Sequence, residues 1–387
     1  MGGRTGTNPN RITVLLLTLL LFAVTPLTVF AEATDPLQAL ATKAGCAYED
    51  ILTSDLVVPG EAVSDWIAIA TGCSGNPVKR NAYLKGLEDY VEKEYSENGG
   101  LHSIKATEYH RISLAVLALG GDPTNFGVDG SGNPIDLIAD GTYNWSYSDS
   151  LGMQGLNGWI FALITLDAKD YQVPADAVYT RENMIEEILD AQTDEGGFGL
   201  SGGSPDVDIT AMTLQALAPY YPGAPEVQGS VDRALGWLSA QQNDKGDFTS
   251  WGSGTAEGTA QTVIALCSLG IDPRTDERFL KNGSSAMDGL LQYQTQSGMF
   301  KHTLDGDEDA MATEQAALAL MAVQRLDQKG DRIYDFTEVA VYKGEEDTAV
   351  KKEPVRAAVW VAVAAGVVLI AVGTVAVFIK RGKKKHV

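Results

Sequence analysis

The sequence predicts an all-α domain built as a ring of six repeated helical hairpins, preceded by a signal peptide and followed by one transmembrane helix. Three observations carry this reading. First, three segments share one order: a helix-like stretch ends on a glutamine, a glycine-containing loop closes on a phenylalanine, and a small-residue-rich helical pattern follows. The marker pairs are Gln192 and Phe198, Gln241 and Phe248, and Gln294 and Phe300. The glutamines lie 49 and 53 residues apart, and a period of about 50 residues marks an array of equivalent supersecondary units. Second, apolar residues around these loops recur with helical spacing. Third, each end of the chain carries a long apolar run.

At the amino end, Arg4 and Arg11 precede an apolar stretch that reaches Val29, and small residues near Ala31 suit signal cleavage. Residues 1–31 are therefore expected to be a signal peptide, with the mature chain starting at Glu32. A helix over residues 37–44 would pair with the inner-type helix containing Asp65, Trp66 and Ile67. The loop at Asn98, Gly99 and Leu101 leads to a helix with Ile112, Ala115, Val116 and Leu119 on one stripe. Asn144 and Trp145 lead to the helix containing Asn157, Trp159 and Phe161. After Phe248, Ala256, Ala260, Val263, Ile264 and Cys267 fall on one face of a helix; before it, Val231, Ala234, Leu235 and Leu238 share a stripe. Each unit is thus a hairpin of one small-residue helix and one bulkier helix, neither of which can bury its apolar face alone. Six such units can close into a ring over residues 32–326.

Residues 327–356 turn charged and read as a stalk. The run of residues 357–379, which opens at Ala357 and closes at Ile379, carries no charge and can cross a hydrocarbon core of about 30 Å. Lys380, Arg381 and Lys383 to Lys385 follow in the basic tail 380–387, which the positive-inside bias places in the cytoplasm. The bulk of the chain is then extracellular. Removing Arg4, Arg11 and the five tail cations from the net charge of −22 leaves −29 between them, so the exported part should repel nucleic acid and anionic lipid. Three cysteines are too few for a disulfide scaffold. Cys46 and Cys73 could pair with each other, while Cys267 reads as core.

The loops, the repeat length and the helix beginning Pro205-Asp206-Val207-Asp208-Ile209-Thr210 resemble the prenyltransferase and squalene-cyclase repeat superfamily. The resemblance covers residues 36–326 and implies an (α/α)6 toroid with the small-residue helices lining an axial cavity. Its members include terpene cyclases, protein prenyltransferases, thioester domains and cobalamin carriers, so it specifies fold rather than function. A cyclase acid lies in Asp-x-Asp-Asp-Thr; here Asp208 matches the acid, but Ile209 replaces the neighbouring carboxylate, which removes part of what makes a carboxyl acidic enough to protonate an alkene. Trp66, Tyr109 and Trp159 are the aromatic candidates to stabilise a cation. The prenyltransferase zinc pair is absent, because Ala265 and Leu266 precede Cys267. The thioester motif is absent too, because Ala312 stands where its cysteine belongs. Asp305, Asp307 and Asp309 alternate like a calcium loop that lacks its glycine and its closing glutamate.

What remains is a set of polar groups at the starts of the inner helices, which a closed ring gathers on one rim: Glu108, His110, Gln154, Asn157, Asp206, Asp208, Thr210, Glu257, Gln261, Glu314 and Gln315, with Trp159 beside them. Asp206 and Asp208 project about 200° apart on a helix, so at most one faces inward while the other suits the positive helix end. Ser204 would cap that helix and Pro205 would open it. Convergent polar groups over an apolar well describe a ligand pocket. The expected function is a membrane-anchored module that captures a small ligand, a corrinoid such as cobalamin or an isoprenoid-like molecule, or a cell-surface partner. The alternative is a terpene cyclase using Asp208 as its acid.

Overall fold

Eleven α-helices and three two-residue antiparallel strand pairs make up the described residues of the computed structural model, which are 57–74, 80–250, 252–328, 330 and 332–341. The signal peptide, the helix expected over 37–44, Cys46 and residues 342–387, including the run 357–379, lie outside them. Among the described residues no helix is long and apolar enough to cross a membrane.

The inner helices are α1 (Ala62–Cys73), α3 (Ala106–Ala118), α5 (Asn157–Asp167), α7 (Val207–Leu217), α9 (Ala256–Ser268) and α11 (Ala310–Asp327). Each packs on the next, and α11 packs back on α1, so the ring closes. The outer helices are α2 (Arg80–Asn98), α4 (Leu137–Gly141), α6 (Arg181–Asp190), α8 (Pro225–Gln241) and α10 (Ala286–Leu291), and each precedes its inner partner. Small residues let the inner helices approach closely: a Cβ on Gly72 of α1 would stand 2.3 Å from the Ala118 carbonyl oxygen of α3. Ala256, Ala260, Val263 and Ile264 are fully buried, as the helical stripe predicts, whereas Cys267 sits at the edge of the core, half-buried.

The repeated loops connect each outer helix to its inner partner and, through their glutamines, bond to the next hairpin. Phe198, Phe248 and Phe300 are fully buried. Their backbone N–H groups donate to the hydroxyls of Thr210, Thr259 and Thr313 at 2.9, 3.2 and 2.8 Å. The glutamine that faces the phenylalanine across each loop is Gln192, Gln242 or Gln294, so the second marker is Gln242 and not the Gln241 that the spacing suggested. The Gln242 amide donates to Gly246 O within its own loop and to Phe279 O ahead of the next outer helix, both at 3.0 Å. Gln192 does the same with Gly196 O and Ser230 O of α8, at 2.7 and 2.8 Å. Gly246 adopts φ +93°, and a Cβ there would meet Ser285 O at 2.1 Å. Glycine is therefore required twice over, by conformation and by contact.

Residues 332–341, expected to lie within the stalk 327–356, pack against the ring. Phe336 N donates to Ala168 O at 2.7 Å, just past α5, and the Lys169 ammonium donates to Phe336 O and Val339 O at 3.2 and 2.6 Å. Cys73 Sγ, at the end of α1, donates to Ile333 O at 3.6 Å. Ile333 and Phe336 are each 1% exposed. This strap crosses the carboxyl-terminal ends of the inner helices, so the domain extends past residue 326 and one end of the ring is floored.

The two neighbouring glutamines give a direct test. Gln241 bonds only within its own helix, to Trp237 O at 3.4 Å. Replacing Gln242 with alanine leaves two carbonyls without their donor, a loss of about 1–3 kcal/mol. We expect Gln242→Ala to lower the melting temperature by roughly 2 °C or more and Gln241→Ala to leave it unchanged, as measured by thermal unfolding.

Candidate functional site

The inner helices place paired side chains, four residues apart, toward the axis. The pairs are Thr107 and Arg111 on α3, Asn157 and Phe161 on α5, Asp208 and Met212 on α7, Glu257 and Gln261 on α9, and Met311 and Gln315 on α11. Spacing of four keeps both members on one face of a helix. On the last three helices the register follows from the caps. Asp206, Thr255 and Asp309 are the N-caps of α7, α9 and α11, and the second and sixth residues after each cap face inward. The fourth, Thr210, Thr259 or Thr313, faces the loop phenylalanine.

Two connected spaces result. A well of about 240 Å³ lies on the axis, lined by Trp66, Phe161, Met212, Leu318 and Tyr334 on its apolar side. Thr107, Arg111, Asn157, Gln261, Glu314 and Gln315 form its polar side. Tyr334 belongs to the strap and lies 6.3 Å from Trp66, which also meets Phe161 edge-on at 5.9 Å. Above the well a mouth of about 540 Å³ is bounded by Asp208, Glu257, His302, Thr255, Thr303 and Met311, and it shares Met212, Gln261 and Gln315 with the well. A chain of amides links three helices across the wall. Gln215 Nε2 donates to Gln261 Oε1 at 2.8 Å, and Gln261 Nε2 donates to Gln315 Oε1 at 3.0 Å.

Acidic groups in these spaces are held in unusual protonation states. Burial, reinforced by the Asp206 and Glu257 carboxyls, pushes Asp208 up to about 7. Glu314 is 1% exposed; burial first and Glu257 second push it well above the carboxylate range. His302 sits on the rim with Nδ1 2.9 Å from both Glu257 oxygens, a bond that raises the imidazole above its ordinary value. Deeper, the Arg111 Nε–H donates to Asp65 Oδ2 at 2.9 Å, and its Nη2 lies 2.6 Å from Glu108 Oε2. Tyr83 donates to Asp65 Oδ1 at 2.6 Å. Three buried side-chain oxygens along the two spaces have no partner: Asp208 Oδ1, Asn157 Oδ1 and Glu314 Oε2.

Of the residues expected at the site, Asn157, Asp208, Glu257, Gln261, Glu314 and Gln315 are brought together. Glu108 and Gln154 support it from behind, Glu108 by holding Arg111 and Gln154 by accepting from the Thr107 hydroxyl at 3.0 Å. The other four serve the fold. Asp206 accepts from the backbone of Asp208 and Ile209 at 2.9 and 3.1 Å and so caps α7 in place of Ser204. Thr210 is fully buried on its loop. His110 is buried 2.6 Å from Gly141 O, and burial lowers it to about 4. Trp159 packs edge-on against Tyr179 at 5.2 Å, and Tyr109, an aromatic candidate, is fully buried against Trp145 and Tyr147. Phe161, Met212 and Met311 are not among the expected residues, although each lies four positions from one that is (Asn157, Asp208 and Gln315); Thr107 and Arg111 lie four apart on a helix where neither is expected. Tyr334 lay in a segment read as stalk and carried no such signal. Asp309 spends one oxygen on the cap of α11, accepting from Ala312 N at 2.8 Å. Among the described residues no group of three or more His, Cys, Asp or Glu is arranged to hold a metal. Cys46 lies outside the described residues, so its pairing with Cys73 does too.

No family model and no curated protein matches the chain. Likeness is found among solved structures. Candida albicans protein geranylgeranyltransferase-I, complexed with GGPP, superposes with a TM-score of 0.53 and 13% identity, covering 78% of this chain and 99% of that one. A type II terpene cyclase from Scytonema in complex with geranylgeranyl dihydroxybenzoate gives 0.48 and 15%, over 75% and 99%. A family 88 glycosyl hydrolase from Bacteroides vulgatus gives 0.47 and 11%, over 75% and 98%. Likeness at such identity is one of fold, and one toroid can host unrelated chemistries. Together with the closed ring, the match at a TM-score of 0.53 establishes this domain as an α/α toroid.

Proposed function

We propose that the chain is a ligand-capture module, anchored in the membrane through residues 357–379 and facing outward, that takes the polar head of a small and largely apolar molecule into the axial well. The observation that carries this reading is the trio of unpartnered buried oxygens on Asn157, Asp208 and Glu314. A buried polar group without a partner costs about 1–3 kcal/mol, and all three lie along one path from mouth to floor. A protonated Glu314 donates while Asn157 Oδ1 accepts, so a hydroxyl or amide head satisfies both. Trp66, Phe161 and Leu318 then cover the apolar flank. The well is smaller than the roughly 300–1,000 Å³ of drug-sized sites, so the remainder of the ligand occupies the mouth. An isoprenoid alcohol suits this division. A corrinoid fits only at the mouth, with an amide arm inserted, and no β-rich second domain accompanies the ring among the described residues to clamp it.

The second reading is a cyclase with Asp208 as its acid, and the rise of Asp208 to about 7 favours it, since a sizeable share of the group keeps its proton at neutral pH. Against it, Ile209 replaces the neighbouring carboxylate and Asp206 is committed to the helix cap. No hydrogen-bond donor among the described residues therefore holds the anion that Asp208 would leave behind, and the His302 charge offsets burial only in part.

Two measurements test the proposal. Native mass spectrometry of the full-length chain with farnesol, squalene and cyanocobalamin should show saturable binding of one probe at unchanged mass, weakened about tenfold by Glu314→Leu. Conversion of an isoprenoid that Asp208→Asn abolishes would establish the cyclase instead. The second measurement is pH dependence. Asp208 has a folded value of about 7 against an ordinary 3.8. Its contribution to stability is thus complete below about pH 4 and is lost as the pH rises through about 7. The melting temperature of the wild type should fall relative to Asp208→Asn across that window; parallel curves would mean that Asp208 ionises normally.

A further inference from the structure

Beside the mouth lies a second groove, of about 560 Å³, lined by Asn243, Asp244, Lys245, Asp247, Leu304 and Asp305 and meeting the mouth at Ser253 and Thr303. Asp247 is its unusual member. It is 3% exposed; Oδ2 accepts from the Tyr293 hydroxyl at 2.8 Å, and Oδ1 has no partner. Its place in the repeat shows that the scaffold does not need an acid there. Asp247 precedes the loop phenylalanine Phe248, and the same position in the other two loops holds Gly197 and Met299. The strand pair that follows in the same loop also makes room for the carboxyl, since a Cβ on Gly254 would stand 2.1 Å from Asp247 Oδ2.

We propose that this groove is a saccharide-binding subsite, distinct from the axial well. Three carboxyls along the groove exclude an anion. No group of three or more potential metal ligands is formed among the described residues. A polyamine carries donors only; it would be repelled by Lys245 and would leave the donor groups of Asn243, Ser253 and Thr303 unused. Sugar hydroxyls both donate and accept, which matches a lining of carboxyls, hydroxyls, an amide and one ammonium. Leu304, 43% exposed, offers an apolar surface for the C–H face of a ring. The unpartnered Asp247 Oδ1 supplies the buried acceptor that fixes one hydroxyl, and a hydrogen bond sheltered from water is stronger than one made at the surface. The groove meets the mouth, so a glycan seated there can extend toward Glu257 and His302.

The test is saturation-transfer NMR and calorimetry on the full-length chain in lipid nanodiscs, with chitotriose and maltotriose as probes and spermine as the donor-only control. At least one saccharide should bind, and Asp247→Asn should weaken it about tenfold or more. The exposed double variant Asp244→Asn/Asp305→Asn, which touches no core contact, should weaken it too, while Glu314→Gln in the well should leave it unchanged. That last arm separates failure of the groove from failure of the well. No saccharide binding, binding indifferent to both groove variants, or preference for spermine would overturn the proposal.

Discussion

The ring depends on a side-chain amide that serves two masters. Gln192 and Gln242 each donate to the glycine carbonyl of their own loop and to a carbonyl of the next hairpin, Ser230 O within α8 for Gln192 and Phe279 O ahead of α10 for Gln242. A single side chain, buried at Gln242 and half-buried at Gln192, thus closes a tight turn and stitches adjacent hairpins. The positive φ of the loop glycine and the buried phenylalanine that follows are consequences of the same turn. Because a buried carbonyl deprived of its donor is expensive, the loop tolerates little change, and this is why the motif is visible in the sequence at all. Gln294 keeps the turn with a longer contact, 3.5 Å to Gly298 O.

Once the loops fix where each inner helix begins, geometry sets what each residue can do. The fourth residue after the cap is a threonine in all three later repeats, spent on holding the phenylalanine. The second and sixth face the axis, and there the repeats diverge: Asp208, Glu257 and Met311 in the first layer, Met212, Gln261 and Gln315 in the second. Scaffold and cargo positions therefore alternate along the same helix. The strap from Ile333 to Phe336 floors the ring at the other end, so among the described residues the well opens toward the end where the helix amino termini gather. Those termini favour negative charge, yet burial opposes it, and for Asp208 and Glu314 burial prevails.

Much of the fold was legible in the sequence. The all-α class, the hairpin repeat and the inner stripes at Ala256, Ala260, Val263 and Ile264 follow from periodicity alone, because a 3.6-residue pattern needs no tertiary knowledge. Spacing could not separate Gln241 from Gln242, since only the bridge to Phe248 distinguishes two adjacent glutamines. The site was half legible. Polar residues near helix starts were found as a group, but composition does not reveal rotation: His110 turns to Gly141, Thr210 to Phe198, and Trp159 to Tyr179. Apolar members such as Phe161 and Met212 were hidden because nothing chemical marks them. The strap was hidden because Ile333, Tyr334 and Phe336 are three apolar anchors in a charged segment, too few to make a period.

The central claim is that the axial well holds a neutral carboxyl waiting for a partner. Infrared difference spectroscopy of wild type against Glu314→Gln, at neutral pH, reads this directly. A protonated-carboxyl band present in the wild type, absent from the variant and shifted when a well ligand is added, is the result expected here. A spectrum with only carboxylate bands at Glu314 would contradict the account.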